Sequence, residues 1–312
     1  MSDSLQVFTG TSNPRLASEI CDYLQIPLGR AHVGCFANDE VQIRIEQNVR
    51  GADVFVVQSM SAPVDHHIMQ MLIMIDALRR GSAERITAVI PYFAYAKQEK
   101  KTAPREPISA KLVANLRTVA GADRVLTVDL HSPAIEGFFD IPVDHLRAVP
   151  ILVDHIRMLH LEHLVVVSPD SGGVARAADF RYRLGASLAI IAKNRPRPDS
   201  VEMIDMVGDV QDCSAVIVDD MISTGGTLFE AAEMLRSRGA RHVYAVATHP
   251  ILASRAAEGI RHGQLDGVVV TNTISVPEEK QSDRLTILSV APLIGETIRR
   301  IHHNLSVSAL FT

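Results

Sequence analysis

The sequence predicts an α/β chain built as two similar domains, each a mostly parallel sheet flanked by helices. Three observations predict it. Short apolar, β-branched runs alternate with helix-period segments along the whole chain. Several of those runs are apolar nearly throughout, as strands are when helices cover both faces of their sheet. The same segments also recur in the same order in the two halves.

Taken in chain order, a helix is expected at 13–24 and a strand at 53–58. A helix at 66–80 is closed by Gly81, and a strand follows at 86–91. A helix at 109–120 is closed by Gly121, ahead of a strand at 124–128 and a helix at 149–159. Strands at 163–167 and 215–218 lead to a helix at 227–238, closed by Gly239, and a strand at 242–247. The three glycines stand where helix C-caps belong. Strand–helix–strand repetition implies right-handed crossovers between parallel strands.

The repeat is read by aligning the halves. VFTGTSNPRLASEICDYL (7–24) matches VVSPDSGGVARAADFRYRL (166–184), each a strand, a small-residue turn and a helix. VFVVQSMS (54–61) matches AVIVDDMIS (215–223), and the segment at 71–92 matches that at 233–249. The expected domains are 1–147 and 148–312, with the last helix packing back on the first. The copies differ where chemistry belongs. The second has Asp219 and Asp220 at its strand end, where the first has Gln58 and Ser59. The second then has a glycine-rich turn, where the first has Ser61-Ala62-Pro63.

Composition narrows the function classes. The chain has 312 residues, 31 Lys and Arg against 36 Asp and Glu, and a formal net charge of -5. No basic excess is available to neutralise a nucleic-acid backbone. Aromatic residues make up 4% with no Trp, so a base-stacking platform is not encoded. Cys21, Cys35 and Cys213 are scattered, without a CxxC pair, which fits a reducing cytoplasm. The N-terminus lacks the pattern of a signal peptide, and no apolar run reaches a membrane span of about 18 residues. The adjacent pairs His66-His67 and His302-His303 are expected at surface or interface positions. The Met-rich helical stretch at 68–78 is apolar enough to bury a face in an interface.

The segment VIVDDMISTGGTLFEAAEML (216–235) carries the clearest site. It is a strand, a loop and a helix, with the loop at the carboxyl end of a parallel strand, where open α/β sheets bind ligands. Gly225 and Gly226 allow a tight turn, and Thr227 opens the helix. The N–H groups of Ser223, Thr224, Gly225, Gly226 and Thr227 suit a phosphate at a helix N-terminus. Asp219 and Asp220 suit sugar hydroxyls or a magnesium-bound water. A phosphate beside two hydroxyl-reading carboxylates describes a pentose 5-phosphate.

That loop resembles the ribose-phosphate loop of the phosphoribosyltransferase fold. DLHSPAIEGFFDIPVDHL (129–146), in which Asp129 and His131 are expected to alternate across one face, resembles the signature segment of the ribose-phosphate pyrophosphokinase family. The likeness extends over FANDEVQIRIEQNVRG (36–51), IPYFAYAKQEKK (90–101), REPISAKLVANL (105–116), SPDSGG (168–173) and the C-terminal stretch from 282 to 302. It implies two tandem phosphoribosyltransferase-like domains. The implied reaction transfers the β,γ-diphosphoryl group of Mg-ATP to the 1-hydroxyl of ribose 5-phosphate, serving nucleotide, histidine and tryptophan synthesis in the cytoplasm.

The resemblance also implies roles by position. Phe36 stacks on adenine while Asn38 and Glu40 read its edge, although the same five residues read alone are an ordinary loop-to-strand turn. Lys97 and Gln98 contact ATP. His131 and Asp170 match positions associated with Mg2+, and His131 has ATP phosphate as its other reading, since magnesium prefers oxygen. KNRPRP (193–198) becomes a catalytic loop with Lys193 and Arg195 in the catalytic positions. The partners implied are ATP, ribose 5-phosphate and further copies of the chain, a dimer-based assembly or hexamer, with no nucleic acid and no membrane.

The chain departs from the family in places. Where YARQDRK is usual it has Tyr95-Ala96-Lys97-Gln98-Glu99-Lys100-Lys101, losing a planar two-pronged donor at Lys97. Pro104, Pro133 and Glu136 stand where regulated members carry Ser, Ser and Gln, which implies weakened phosphate activation and ADP allostery. Two other readings compete. A catalytically silent regulatory homologue would lack the catalytic set, which is present. A purine or pyrimidine phosphoribosyltransferase would need only one such domain.

Overall fold

The computed structural model describes residues 4–194 and 203–310. The chain forms two compact units, one of Met1–Arg147, Thr273–Ser275 and Ser289–Thr312, the other of Ala148–Asn272 and Val276–Leu288.

The first unit begins with β1 (Leu5–Thr9), α1 (Pro14–Leu24) and the pair β2 (Ala31–Cys35) and β3 (Val41–Ile45). Next come β4 (Asp53–Val57), α2 (Val64–Arg80), β5 (Arg85–Ile90), α3 (Ser109–Ala120), β6 (Arg124–Val128) and β7 (Val143–Leu146). Its five-stranded sheet has the order β1-β4-β5-β6-β7, every neighbouring pair parallel. β4, DVFVV, is buried at all five positions, as a strand covered on both faces must be. α1 starts where Asn13 Oδ1 accepts the N–H of Leu16 at 3.3 Å, with Pro14 supplying a helix-ready φ.

α2 corrects one expectation. Ile68, Met71, Met74, Ile75 and Leu78 are buried in the core of this unit. The apolar face is spent internally, each side chain contributing about 1.5–3 kcal/mol of burial. The histidine pairs are corrected too. His67 is buried, its Nδ1 2.8 Å from the carbonyl of Ser61. Adjacent helical residues diverge, so His66 is left half-buried beside it.

The second unit contains α4 (Val149–Met158), β8 (Leu164–Ser168), α5 (Val174–Leu184), β9 (Ser187–Asn194), β10 (Met203–Val207) and β11 (Ser214–Ile222). It continues with α6 (Gly226–Ser237), β12 (His242–Pro250), α7 (Ala256–His262), β13 (Gly267–Thr271) and β14 (Leu285–Leu288). The sheet order is β10-β9-β8-β11-β12-β13-β14, parallel except for the β9–β10 pair. The last helix, α8 (Ala291–His302), belongs to the first unit and packs on α1. There His302 Nδ1 lies 2.9 Å from Asp53 Oδ2, so this histidine is an internal partner and only His303 is exposed.

The order β8-β11-β12-β13-β14 repeats β1-β4-β5-β6-β7 strand for strand. The antiparallel pairs β2–β3 and β9–β10 fall at the same point of the plan, between the helix that follows each unit's first strand and the strand beside that first strand.

Candidate active site

β11 is longer than the run 215–218. It continues to Ile222 because β12 pairs with it as far as Pro250. Asp219 and Asp220 therefore lie inside the strand, held by its ladder, with Asp219 opposite Ala247. Asp220 is 3% exposed and Asp219 is half-buried. Arg176, in the first turn of α5, bridges them. Its Nη1 is 3.1 Å from Asp219 Oδ1 and its Nη2 is 3.5 Å from Asp220 Oδ1. Burial, reinforced by the neighbouring Asp220, pushes the Asp219 carboxyl up to about 7, and Arg176 opposes that rise.

The sequence reading missed Arg176. The available signal was topological. β8 neighbours β11, so the first turn of the helix after β8 faces the acidic strand end, and Arg176 is the charged residue in that turn.

Beyond Ile222 the chain turns through Ser223, Thr224 and Gly225. Gly225 has φ +85 and serves as the N-cap of α6. The helix opens at Gly226, one residue before Thr227, because the left-handed glycine completes the turn itself. Among the described residues no side chain caps α6, and uncapped N–H groups at a helix start suit an anion. Thr224, Gly226 and Thr227 are exposed.

Asp170 follows β8 and is exposed. Its Oδ1 accepts the N–H of Gly173 at 2.9 Å, and its carbonyl accepts the Ser168 hydroxyl at 2.7 Å. It is a fixed oxygen donor, of the kind magnesium takes. Lys193 is in the backbone of β9, while its side chain and the whole of Arg195 lie outside the described residues.

The remaining candidates fall in the first unit, on three segments. Phe36, Asn38 and Glu40 form the tip of the β2–β3 hairpin. The N–H of Phe36 donates to the carbonyl of Glu40 at 2.8 Å, and Asn38 Oδ1 accepts the N–H of Glu40 at 3.4 Å. Phe36 is 51% exposed, an aromatic ring half open to solvent. Lys97 and Gln98 are exposed in the loop after β5. The Gln98 carbonyl accepts the N–H of Ala110, and its side chain accepts the Ser109 hydroxyl, so Gln98 also anchors the start of α3.

His131 is half-buried in the turn after β6. The expected alternation of Asp129 and His131 does not occur. β6 ends at Val128, and Asp129 takes a left-handed φ of +39, which breaks the pleat.

In the first unit the strand end that aligns with Asp219 is filled. Gln58 Oε1 accepts the hydroxyl of Ser12 at 2.8 Å and its N–H at 3.2 Å. Gln58 Nε2 donates to Gln70 Oε1 at 2.7 Å, and Gln70 Oε1 accepts the N–H of Thr11 at 2.8 Å. Both amides are 1% exposed. A Cβ at Gly10 would overlap both side-chain oxygens. Gln58, which aligns with Asp219, and Gln70 thus close the strand end of the first unit with two neutral amides.

A family model described as the N-terminal domain of ribose phosphate pyrophosphokinase matches residues 5–121, and one described as the phosphoribosyl synthetase-associated domain matches 189–312. The ribose-phosphate pyrophosphokinase of Bacillus caldolyticus is 51% identical over 307 residues, covering 98% of each chain. That of Bacillus subtilis is 50% identical over 309 residues, covering 99% of this chain and 98% of its own. The crystal structure of phosphoribosylpyrophosphate synthetase from Mycobacterium smegmatis superposes with a TM-score of 0.93 at 44% identity, covering 97% of this chain and all of that one.

Proposed function

The chain belongs to the ribose-phosphate pyrophosphokinase family, and from that premise we infer how its residues divide the work. The enzyme transfers the β,γ-diphosphoryl group of ATP to the 1-hydroxyl of ribose 5-phosphate, giving phosphoribosyl pyrophosphate and AMP.

One observation carries the site reading: the carboxylate pair bridged by Arg176 stands directly before a helix whose first turn is uncapped. The 5-phosphate sits on the N–H groups of Ser223, Thr224, Gly225, Gly226 and Thr227. Asp219 and Asp220 accept the sugar hydroxyls and orient the attacking oxygen. Phe36 stacks on adenine, and Asn38 and Glu40 bond its edge. Lys97, Gln98 and His131 contact the triphosphate.

Charge builds on the β-phosphoryl oxygens and on the oxygen leaving with AMP, and Lys193 and Arg195 neutralise it. Asp170 fits magnesium by its oxygen donor, whereas the His131 imidazole fits a phosphate oxygen better. Magnesium, when bound, withdraws charge from the phosphate oxygens.

The chain acts as a homo-oligomer in this reading. Support comes from α3, which leaves Leu112, Leu116 and Val119 exposed along one face. Cytoplasmic placement is supported by free Cys21, Cys35 and Cys213. No described helix is long and apolar enough to cross a membrane.

The test is a product assay with magnesium, ATP and ribose 5-phosphate. AMP and the pyrophosphorylated sugar appear in equal amounts, and Lys193→Ala lowers turnover by about a thousandfold or more with an unchanged circular dichroism spectrum. A parent enzyme that makes no AMP would restore the silent-homologue reading, and a fully active Lys193→Ala would remove the loop assignment.

A further inference from the structure

Asp129 leaves β6 in left-handed backbone, φ +39, a conformation that costs energy in an L-residue and persists where neighbours enforce it. The end of β7 enforces it at three points. The carbonyl of Leu146 accepts the N–H of Asp129 at 3.0 Å. The guanidinium of Arg147 lies 3.9 Å from the Asp129 carboxylate. The ring of His145, its side chain 4% exposed, accepts the N–H of Leu130 at Nε2, 2.8 Å away.

The third contact dictates a tautomer. A ring nitrogen that accepts a hydrogen bond carries no proton, so the proton of the neutral ring sits on Nδ1. Nδ1–H then donates to Glu136 Oε1 at 2.5 Å, from the 3-10 turn Pro133–Phe138. The alternative tautomer would set two N–H groups against each other at Leu130. Burial pulls the imidazole below its ordinary value, which keeps the ring neutral.

We propose that His145, oriented by Glu136, is a positioning residue that holds the backbone of Leu130 and thereby presents His131 to ATP. The inference rests on the reading that His131 meets the triphosphate. Glu136 acts here through its acceptor oxygen and not its charge, so an amide can replace it.

The test combines kinetics with ring nitrogen NMR on the full-length enzyme. Glu136 is 43% exposed at its side chain, so its variants keep the fold. In Glu136→Ala the Nδ1 proton loses its acceptor and the ring is no longer held against Leu130, so the ring nitrogen signals shift and KM for ATP rises about tenfold, the size expected for one hydrogen bond. KM for ribose 5-phosphate and the thermal midpoint stay as in the parent. Glu136→Gln keeps the proton on Nδ1 and keeps the parent KM for ATP. His131→Ala is run alongside, and a KM for ATP that does not respond to it would end the ATP reading, leaving the tautomer to be judged by NMR. If His131→Ala raises KM and Glu136→Ala does not, the positioning role is overturned. A parent ring protonated on Nε2 overturns it as well.

Discussion

Asp219 and Asp220 are neighbours with different surroundings, and the difference has a measurable consequence. The folded Asp219 keeps its proton up to about pH 7, whereas an unfolded aspartate loses it near about pH 4. The folded state therefore binds the extra proton between those values. This stabilising contribution is complete below about pH 4 and is lost as pH rises through about 7. Asp219→Asn removes the titration, so its thermal midpoint should fall less than the parent's between about pH 5 and about pH 8. In the same series the parent's KM for ribose 5-phosphate should drop as pH rises through about 7, because the ionised carboxylate is the better hydroxyl acceptor. Equal pH slopes for both proteins would show that Asp219 is ionised throughout. The acids and the glycine loop were readable because they adjoin in the chain. Arg176 lies 43 positions from Asp219, and His145 lies 15 from Leu130, so only the fold brings these partners together.

At the scale of elements, β4, β5 and β6 were readable because they are buried on both faces and apolar nearly throughout. β2 and β3 were not. They pair only with each other, and their AHVGC and VQIRI segments have no position counted as buried. The end of β11 was hidden for another reason, since aspartates disfavour strands and only the ladder with β12 holds them there. The start of α6 depends on one residue. Gly225 needs φ +85, and a Cβ there would overlap the Phe229 ring. Gly225→Ala is expected to raise KM for ribose 5-phosphate about tenfold or more, since left-handed backbone costs an alanine about 1–2 kcal/mol before the overlap is counted. Saturation curves at fixed ATP read the change, and an unaltered KM would mean that the phosphate is not held by this turn.

For the whole molecule, the duplication was legible because the repeated segments keep their order, and the strand orders of the two sheets match one for one. The surface proposed for self-association differs from the one the sequence suggested. The sequence is richest in apolar residues along α2, but those face the core, and the exposed apolar face belongs to α3. Leu112→Glu should therefore shift the sedimenting species to smaller mass without changing helix content, whereas an unchanged sedimentation coefficient would clear α3 of that role. The paired Gln58 and Gln70 give the duplication a further meaning. The site proposed in the second unit leaves the start of α6 uncapped. At the matching strand end of the first unit the amides satisfy one another. The two copies of one plan thus show both ends of the trade between readiness and rigidity. Each unit is the other's internal control, and amide exchange should be slower in the turn held by Gln58 and Gln70 than at the start of α6.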